Sequence, residues 1–142
     1  MKTLIPNCLK LLILVLFTSC NSDDNTAVGC DENVLISSTQ FDSALSDLVT
    51  VNSITISGDC LVANISASGC DGETWILRLI DSDVVLDTSP PQRTLRLVLA
   101  NNEACLAFVT REISFDINDL KVDEGSVLLH IVNLNEAFLY SY

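Results

Sequence analysis

From Val51 onward, apolar and polar residues alternate in short runs, each stopped by a turn signal. Few folds admit that pattern. Successive side chains of a strand point to opposite faces, so a period of two marks a strand with one buried side. Val51 to Ser57 sets Ile54 and Ile56 against Ser53, Thr55 and Ser57; Ser57-Gly58-Asp59 turns the chain; Cys60 to Ser68 follows with Leu61, Ala63, Ile65 and Ala67 on one face. These two segments read as a hairpin. Gly69-Cys70-Asp71-Gly72 is the next turn, after which Trp75, Leu77 and Leu79 alternate with Thr74, Ile76, Arg78 and Ile80.

Ser89-Pro90-Pro91 interrupts the alternation, because proline has no N–H to give a ladder. Arg93 to Leu99 resumes it with Leu95, Leu97 and Leu99 inward; Val127, Leu129 and Ile131 form a later inward set, and Phe138, Tyr140 and Tyr142 follow. Leu106 to Ile117 holds a phase conflict. Leu106 and Phe108 are even, whereas Ile113, Phe115 and Ile117 are odd, so a bulge or break is expected near residues 110–112. Thr39 to Val49 alone looks helical, with Phe41, Leu45, Leu48 and Val49 at helical spacing, although an extended path fits it too. The expected fold is all-β: an antiparallel, immunoglobulin-like β-sandwich of seven or eight strands over residues 30–142. That span holds one modest core and no second domain.

The first twenty residues have another character. Lys2 and Lys10 supply positive charge ahead of an apolar run from Leu11 to Phe17, too short to span a bilayer but suited to an export signal. Leu16-Phe17-Thr18-Ser19-Cys20 resembles the lipobox of bacterial lipoproteins, with Phe17 departing from the usual aliphatic residue. The resemblance implies cleavage after Ser19 and acylation of Cys20, and two or three acyl chains make a stable anchor where one does not. Residues 1–19 are then the signal and 20–29 a lipidated, acidic tether. Cys20-Asn21-Ser22-Asp23-Asp24 is similar to the surface-export signal of lipoproteins from Bacteroidota, which assigns that role to Ser22, Asp23 and Asp24. The same residues also read as a plain solvated tether.

Without residues 1–20 the chain keeps five basic and nineteen acidic side chains, a charge near −14. Such a surface repels nucleic acid and anionic membrane faces. Cys8 leaves with the signal and Cys20 is the acylation site, so Cys30, Cys60, Cys70 and Cys105 remain, an even set in an exported domain that implies two disulfides. Zinc is disfavoured, since there is no CxxC and only one histidine. Four cysteines allow three pairings. Cys60 shares its parity with Val62, Asn64 and Ser66, the more polar side of its strand, which speaks against a buried Cys60–Cys105 bridge beside Trp75. The favoured pairing is Cys30–Cys60 with Cys70–Cys105.

Catalytic groups are scarce. His130 lies between Leu129 and Ile131 on an outward position, and no GxSxG, HExxH or phosphate-binding glycine loop occurs. No enzyme and no cofactor are expected. Calcium is the one metal with suitable ligands, at Asp81-Ser82-Asp83 with Asp87 or at Asp71 with Glu73, though in so acidic a chain such pairs arise by chance and solvated turns are the expected state. Asp42-Ser43-Ala44 resembles an O-glycosylation acceptor of Bacteroidota, which makes Ser43 a candidate glycan site. Arg93 and Arg96 either pair with nearby carboxylates or recognise an anion.

Gly58-Asp59-Cys60-Leu61, Ser66-Ala67-Ser68-Gly69-Cys70, Pro90-Pro91-Gln92-Arg93 and Ser114-Phe115-Asp116 together resemble a group of small uncharacterised lipoproteins of Bacteroidota, chiefly flavobacterial. The resemblance implies an outer-membrane, cell-surface address and no particular activity. The expected function is a membrane-anchored, non-catalytic binding or accessory subunit of the envelope with a protein or glycan partner. The alternative is a small envelope hydrolase or hydrolase inhibitor.

Overall fold

A computed structural model describes residues 29–142. The strands are β1 (Glu32–Asn33), β2 (Leu35–Ile36), β3 (Thr50–Ser57), β4 (Cys60–Gly69), β5 (Ile76–Leu86), β6 (Gln92–Ala100), β7 (Ala107–Asp116), β8 (Ser126–Ile131) and β9 (Glu136–Ser141). One helix, α1, spans Ser38–Ser43. The strands form two sheets, ordered β1-β7-β4-β3 and β2-β5-β6-β8-β9. The all-β sandwich is as expected, with nine strands because the amino-terminal segment gives one very short strand to each sheet.

Both sheets are mixed, not purely antiparallel: β1 runs parallel to β7, β2 to β5 and β6 to β8. Parallel neighbours need a crossover, and β7 in the opposite sheet, with a 3-10 turn at Asn118–Leu120, supplies it between β6 and β8. The β3–β4 hairpin forms around Gly58, whose φ of 58° suits glycine, with Ser57 opposite Cys60.

The core is the set of inward strand positions. Leu61, Ala63 and Ile65 of β4 and Phe115 of β7 face Leu77, Leu79, Leu95, Leu97 and Leu99 of the other sheet, with Val127, Leu129, Ile131 and Tyr140 completing it. Trp75 is buried where the chain enters β5. Disulfides join Cys30 to Cys60 and Cys70 to Cys105.

Two further expectations are corrected. β7 carries no bulge, and its register with β4 runs unbroken from Cys60↔Asp116 to Gly69↔Ala107. The phase conflict disappears because Leu106 and Phe108 point outward, at 96% and 71% exposure. Arg111 therefore takes an inward position opposite Ile65. The irregularities lie instead between Val51 and Ser53 and between Asp81 and Val85, where Asp83 has a φ of 62°.

The helical stripe over Thr39–Val49 is also shortened. Ser37 caps α1 by accepting from Gln40 N–H at 3.3 Å, but the helix stops after Ser43. The following residues lie along the end of β6: Asp47 N–H donates to the Leu99 carbonyl at 2.8 Å, and Ser46 Oγ accepts from Leu99 N–H at 3.1 Å. So short a helix gains little of its own, and bonds to a fixed strand outweigh its continuation. Leu45 and Leu48 are left 92% exposed.

Candidate binding site

The short amino-terminal strands leave one side of the sandwich open. β1 pairs only with Phe115 and Asp116 of β7, and β2 only with Ile80 and Asp81 of β5. Among the described residues, the edges of β7 before Ser114 and of β5 before Ile80 have no strand neighbour. Between these edges lies a cleft of about 260 Å³, lined by Asp31, Glu32, Glu73, Trp75, Leu77, Arg111, Glu112 and Ile113. Its floor is apolar and its rim carries four exposed carboxylates. Arg111 spans one end, Nη1 donating to the Gly72 carbonyl.

Asp31 shapes the other end. Its Oδ2 accepts from Ser114 N–H at 2.8 Å and Ser114 Oγ at 2.6 Å, while Asp31 N–H donates to Ser114 Oγ at 3.0 Å. These bonds, the hydroxyl's first, hold the Asp31 carboxyl below its usual range. A side-chain carboxylate here does for Ser114 what a strand carbonyl would do.

The distal loops, where β4 and β6 end and β7 begins, are tied to one another. Glu103 reaches into the 70–74 turn and accepts from the N–H groups of Cys70 (2.6 Å), Gly72 (3.1 Å), Asp71 (3.3 Å) and Thr74 (3.4 Å), and from Thr74 Oγ1 (2.9 Å). Desolvation pulls its carboxyl upward, but the Cys70 N–H, the Thr74 hydroxyl and the remaining N–H groups outweigh it and hold the group at about 2. A Cβ on Gly69 would lie 2.5 Å from Glu103 Oε2 and 3.0 Å from the Trp75 ring, so a side chain there would displace the Glu103 carboxylate from the turn. Asn101 N–H donates to Asp47 at 2.7 Å and Asn101 Nδ2 to the Ser68 carbonyl at 2.6 Å, joining the loop before β3 to the end of β4. From this braced end project Leu45, Leu48, Leu106 and Phe108. Leu45 and Leu48 lie on the segment between α1 and β3, and Leu106 and Phe108 at the start of β7.

The opposite end is fastened by polar contacts. The Tyr140 hydroxyl donates to Asp59 Oδ1, and Lys121 Nζ contacts both Asp59 oxygens at 2.9 and 3.0 Å. The Tyr140 bond first, then Lys121, lowers the Asp59 carboxyl, while burial and the Asp59 bond raise the Tyr140 phenol. Cys30 is bonded to Cys60 at this same end, so the chain enters the domain here.

Cys20, Ser22, Asp23 and Asp24 lie outside the described residues. Ser43 sits exposed at the end of α1, its Oγ donating to the Thr39 carbonyl at 2.6 Å. His130 is half-buried on β8 opposite Ala137. Of the calcium candidates, Asp81 is buried and paired with Arg93 at 2.9 Å, and Asp71 Oδ1 accepts from Glu73 N–H at 2.9 Å, while Glu73, Asp83 and Asp87 are exposed. Among the described residues no group of three His, Cys, Asp or Glu side chains could hold a metal ion. Arg96 Nη1 donates to the Phe41 carbonyl at 2.9 Å, so neither Arg93 nor Arg96 is aimed at an outside anion. The cleft, the Glu103 turn and the apolar tip were not singled out as sites by sequence reasoning. The clue available for the tip was the parity conflict of Leu106 and Phe108.

Two solved structures resemble this arrangement. One is a protein of unknown function, DUF1344, from Bacteroides vulgatus, with a TM-score of 0.52 and 20% identity over 78% of this chain and 56% of that one. The other is a protein named only as toxin-related, from Parabacteroides distasonis, with a TM-score of 0.49 and 17% identity over 77% of this chain and 61% of that one. The chain thus spans less than two thirds of either neighbour. At these identities the likeness concerns the fold alone. No family model matches the chain, and no curated protein matches it.

Proposed function

We propose that this chain is a lipid-anchored, surface-facing recognition domain: acylated at Cys20, tethered by residues 20–29, and non-catalytic, with its distal loops as the contact surface for a protein partner. The polarity of the domain carries this reading. The chain enters at Cys30, beside Cys60 at the start of β4, whereas Leu48, Leu106 and Phe108 project near the far end of that ten-residue strand. At about 3.3 Å per residue the two ends stand about 30 Å apart. An anchor at one end turns the apolar tip outward. The glycine, disulfide and Glu103 contacts that brace the loops favour a preformed surface, which loses little entropy on binding.

A photo-crosslinking residue placed in the producing cells at Leu48, Leu106 or Phe108, with Thr55 as control, tests it. Discrete adducts from the tip positions alone, lost when Leu45 and Leu48 are replaced by serine, support the reading. Adducts equally from Thr55, or none from the tip, count against it.

A further inference from the structure

We propose that the open side of the sandwich docks an extended, basic peptide segment of a partner protein, which adds as a strand to the free edge of β7 and lays one side chain in the cleft. This surface is the strand edge of β7 and the cleft beside it, which adjoin the distal loops at Glu73 and Phe108, and the proposal holds whether or not Cys20 is acylated.

The direction of the backbone groups comes first. Val34 N–H donates to the Asp116 carbonyl at 3.0 Å, and Ser114 N–H donates to Asp31 at 2.8 Å, so the even residues of β7 turn their N–H and C=O toward this edge. The alternation extends to Glu112, Thr110 and Phe108, which face no strand there among the described residues. An unprotected edge of this length is a template for strand addition. β1, two residues long, fills only its last part.

Chemistry selects the occupant. A strand laid on β7 points alternate side chains into the cleft, onto Trp75, Leu77 and Ile113, with Glu73 and Glu112 at the rim. A lysine or arginine suits this arrangement, its stem on the apolar floor and its head at the carboxylates. Arg111 keeps its positive charge when it donates to the neutral Gly72 carbonyl, but four carboxylates, Asp31, Glu32, Glu73 and Glu112, line the same cleft and leave it net acidic. The acidic chain as a whole steers a basic segment and repels an acidic one. β3 is also an edge strand, but Thr50–Ser57 carries no charge and gives a basic segment nothing to select it.

Residues 29–142 contain both sheets, both disulfides and the whole described core, and so serve as the test domain. The probe is a fluorescent octapeptide of alternating lysine and valine, beside a glutamate–valine counterpart. Two N-methylated versions block alternate amides in either phase. The lysine peptide should bind and the glutamate peptide should not. One N-methylated phase should bind at least about tenfold more weakly, since each lost main-chain hydrogen bond removes part of the affinity. Glu73→Lys with Glu112→Lys should weaken binding as much, with an unchanged melting point showing that the variant folds. Amide exchange should slow at Phe108, Thr110 and Glu112. Equal affinity for the parent and both methylated peptides would mean mere adhesion to an acidic surface and overturn the proposal. So would protection confined to β3 or β9, or no binding of the lysine peptide.

Discussion

Arg93→Met should destabilise the domain by about 3–5 kcal/mol, because it strands a buried carboxylate without its counter-charge. Asp81 has no exposed side-chain surface and Arg93 is 12% exposed. Asp81 Oδ1 accepts from Arg93 Nη1 at 2.9 Å and from Asp83 N–H at 2.8 Å, while Asp81 Oδ2 and Arg93 Nε find no partner. The pair is thus incompletely satisfied, and desolvation raises the Asp81 carboxyl above its usual range despite the guanidinium. A raised folded pKa means that the native state takes up this proton before the unfolded chain does. The cost of the charge is felt above the folded pKa and relieved as pH falls through it, so the loss in Arg93→Met should be largest near neutrality and shrink on acidification. For a domain of this length the loss corresponds to a fall in Tm of about 10–20 °C. Replacing both partners, Asp81→Leu with Arg93→Met, should return stability to within about 1 kcal/mol of the parent, or exceed it. Urea and thermal unfolding of the parent, both single variants and the double variant, from neutral pH downward, make the measurement. Single losses that simply add in the double variant, or an Arg93→Met loss below about 1 kcal/mol, would refute the reasoning.

Other outcomes follow from the same contacts. Glu103 has a folded pKa of about 2, below its ordinary value of 4.5, so its contribution is present above the unfolded value and lost as pH falls through 2. The stability difference between the parent and Glu103→Gln should be constant at neutral pH and close between these two values, as acid titration of the folded fraction will show. Removing the Cys70–Cys105 bridge with paired alanines should cost about 4 kcal/mol on the chain-entropy relation for its separation of 35 residues, read by denaturant unfolding without reductant. Leu97→Ala should cost about 2–5 kcal/mol from the core. Leu106→Ser should stay within about 0.5 kcal/mol of the parent, since that side chain is already in solvent.

The regular parts of the fold were legible where local chemistry and long-range packing agree. Gly58 alone identifies the β3–β4 turn, and the inward parity of Leu61, Ala63 and Ile65 fixes the face. The polar parity of Cys60 turned its disulfide toward Cys30. β7 misled because its first apolar residues belong outside: parity reads apolar as inward, and Leu106 and Phe108 break that equation. Once they are set aside, Arg111 stands out as a charge on an inward position. The helix over Thr39–Val49 was overestimated because bonds from Ser46 and Asp47 to Leu99 join residues far apart in sequence. The Glu103 turn was hidden for the same reason, its donors lying about thirty residues upstream of their acceptor. The open edge depends on how few residues β1 and β2 commit to pairing, and alternation does not encode that number.

The central claim, an anchored domain held outward, is met most directly by protease accessibility on intact producing cells. The parent would be compared with Cys20→Ala and with a variant carrying Asp23→Ala and Asp24→Ala. The account predicts a membrane-bound parent digested from outside, loss of membrane association in Cys20→Ala, and protection of the aspartate variant until the cells are lysed. A parent that resists digestion on intact cells and is cleaved only after lysis would contradict the outward-facing claim.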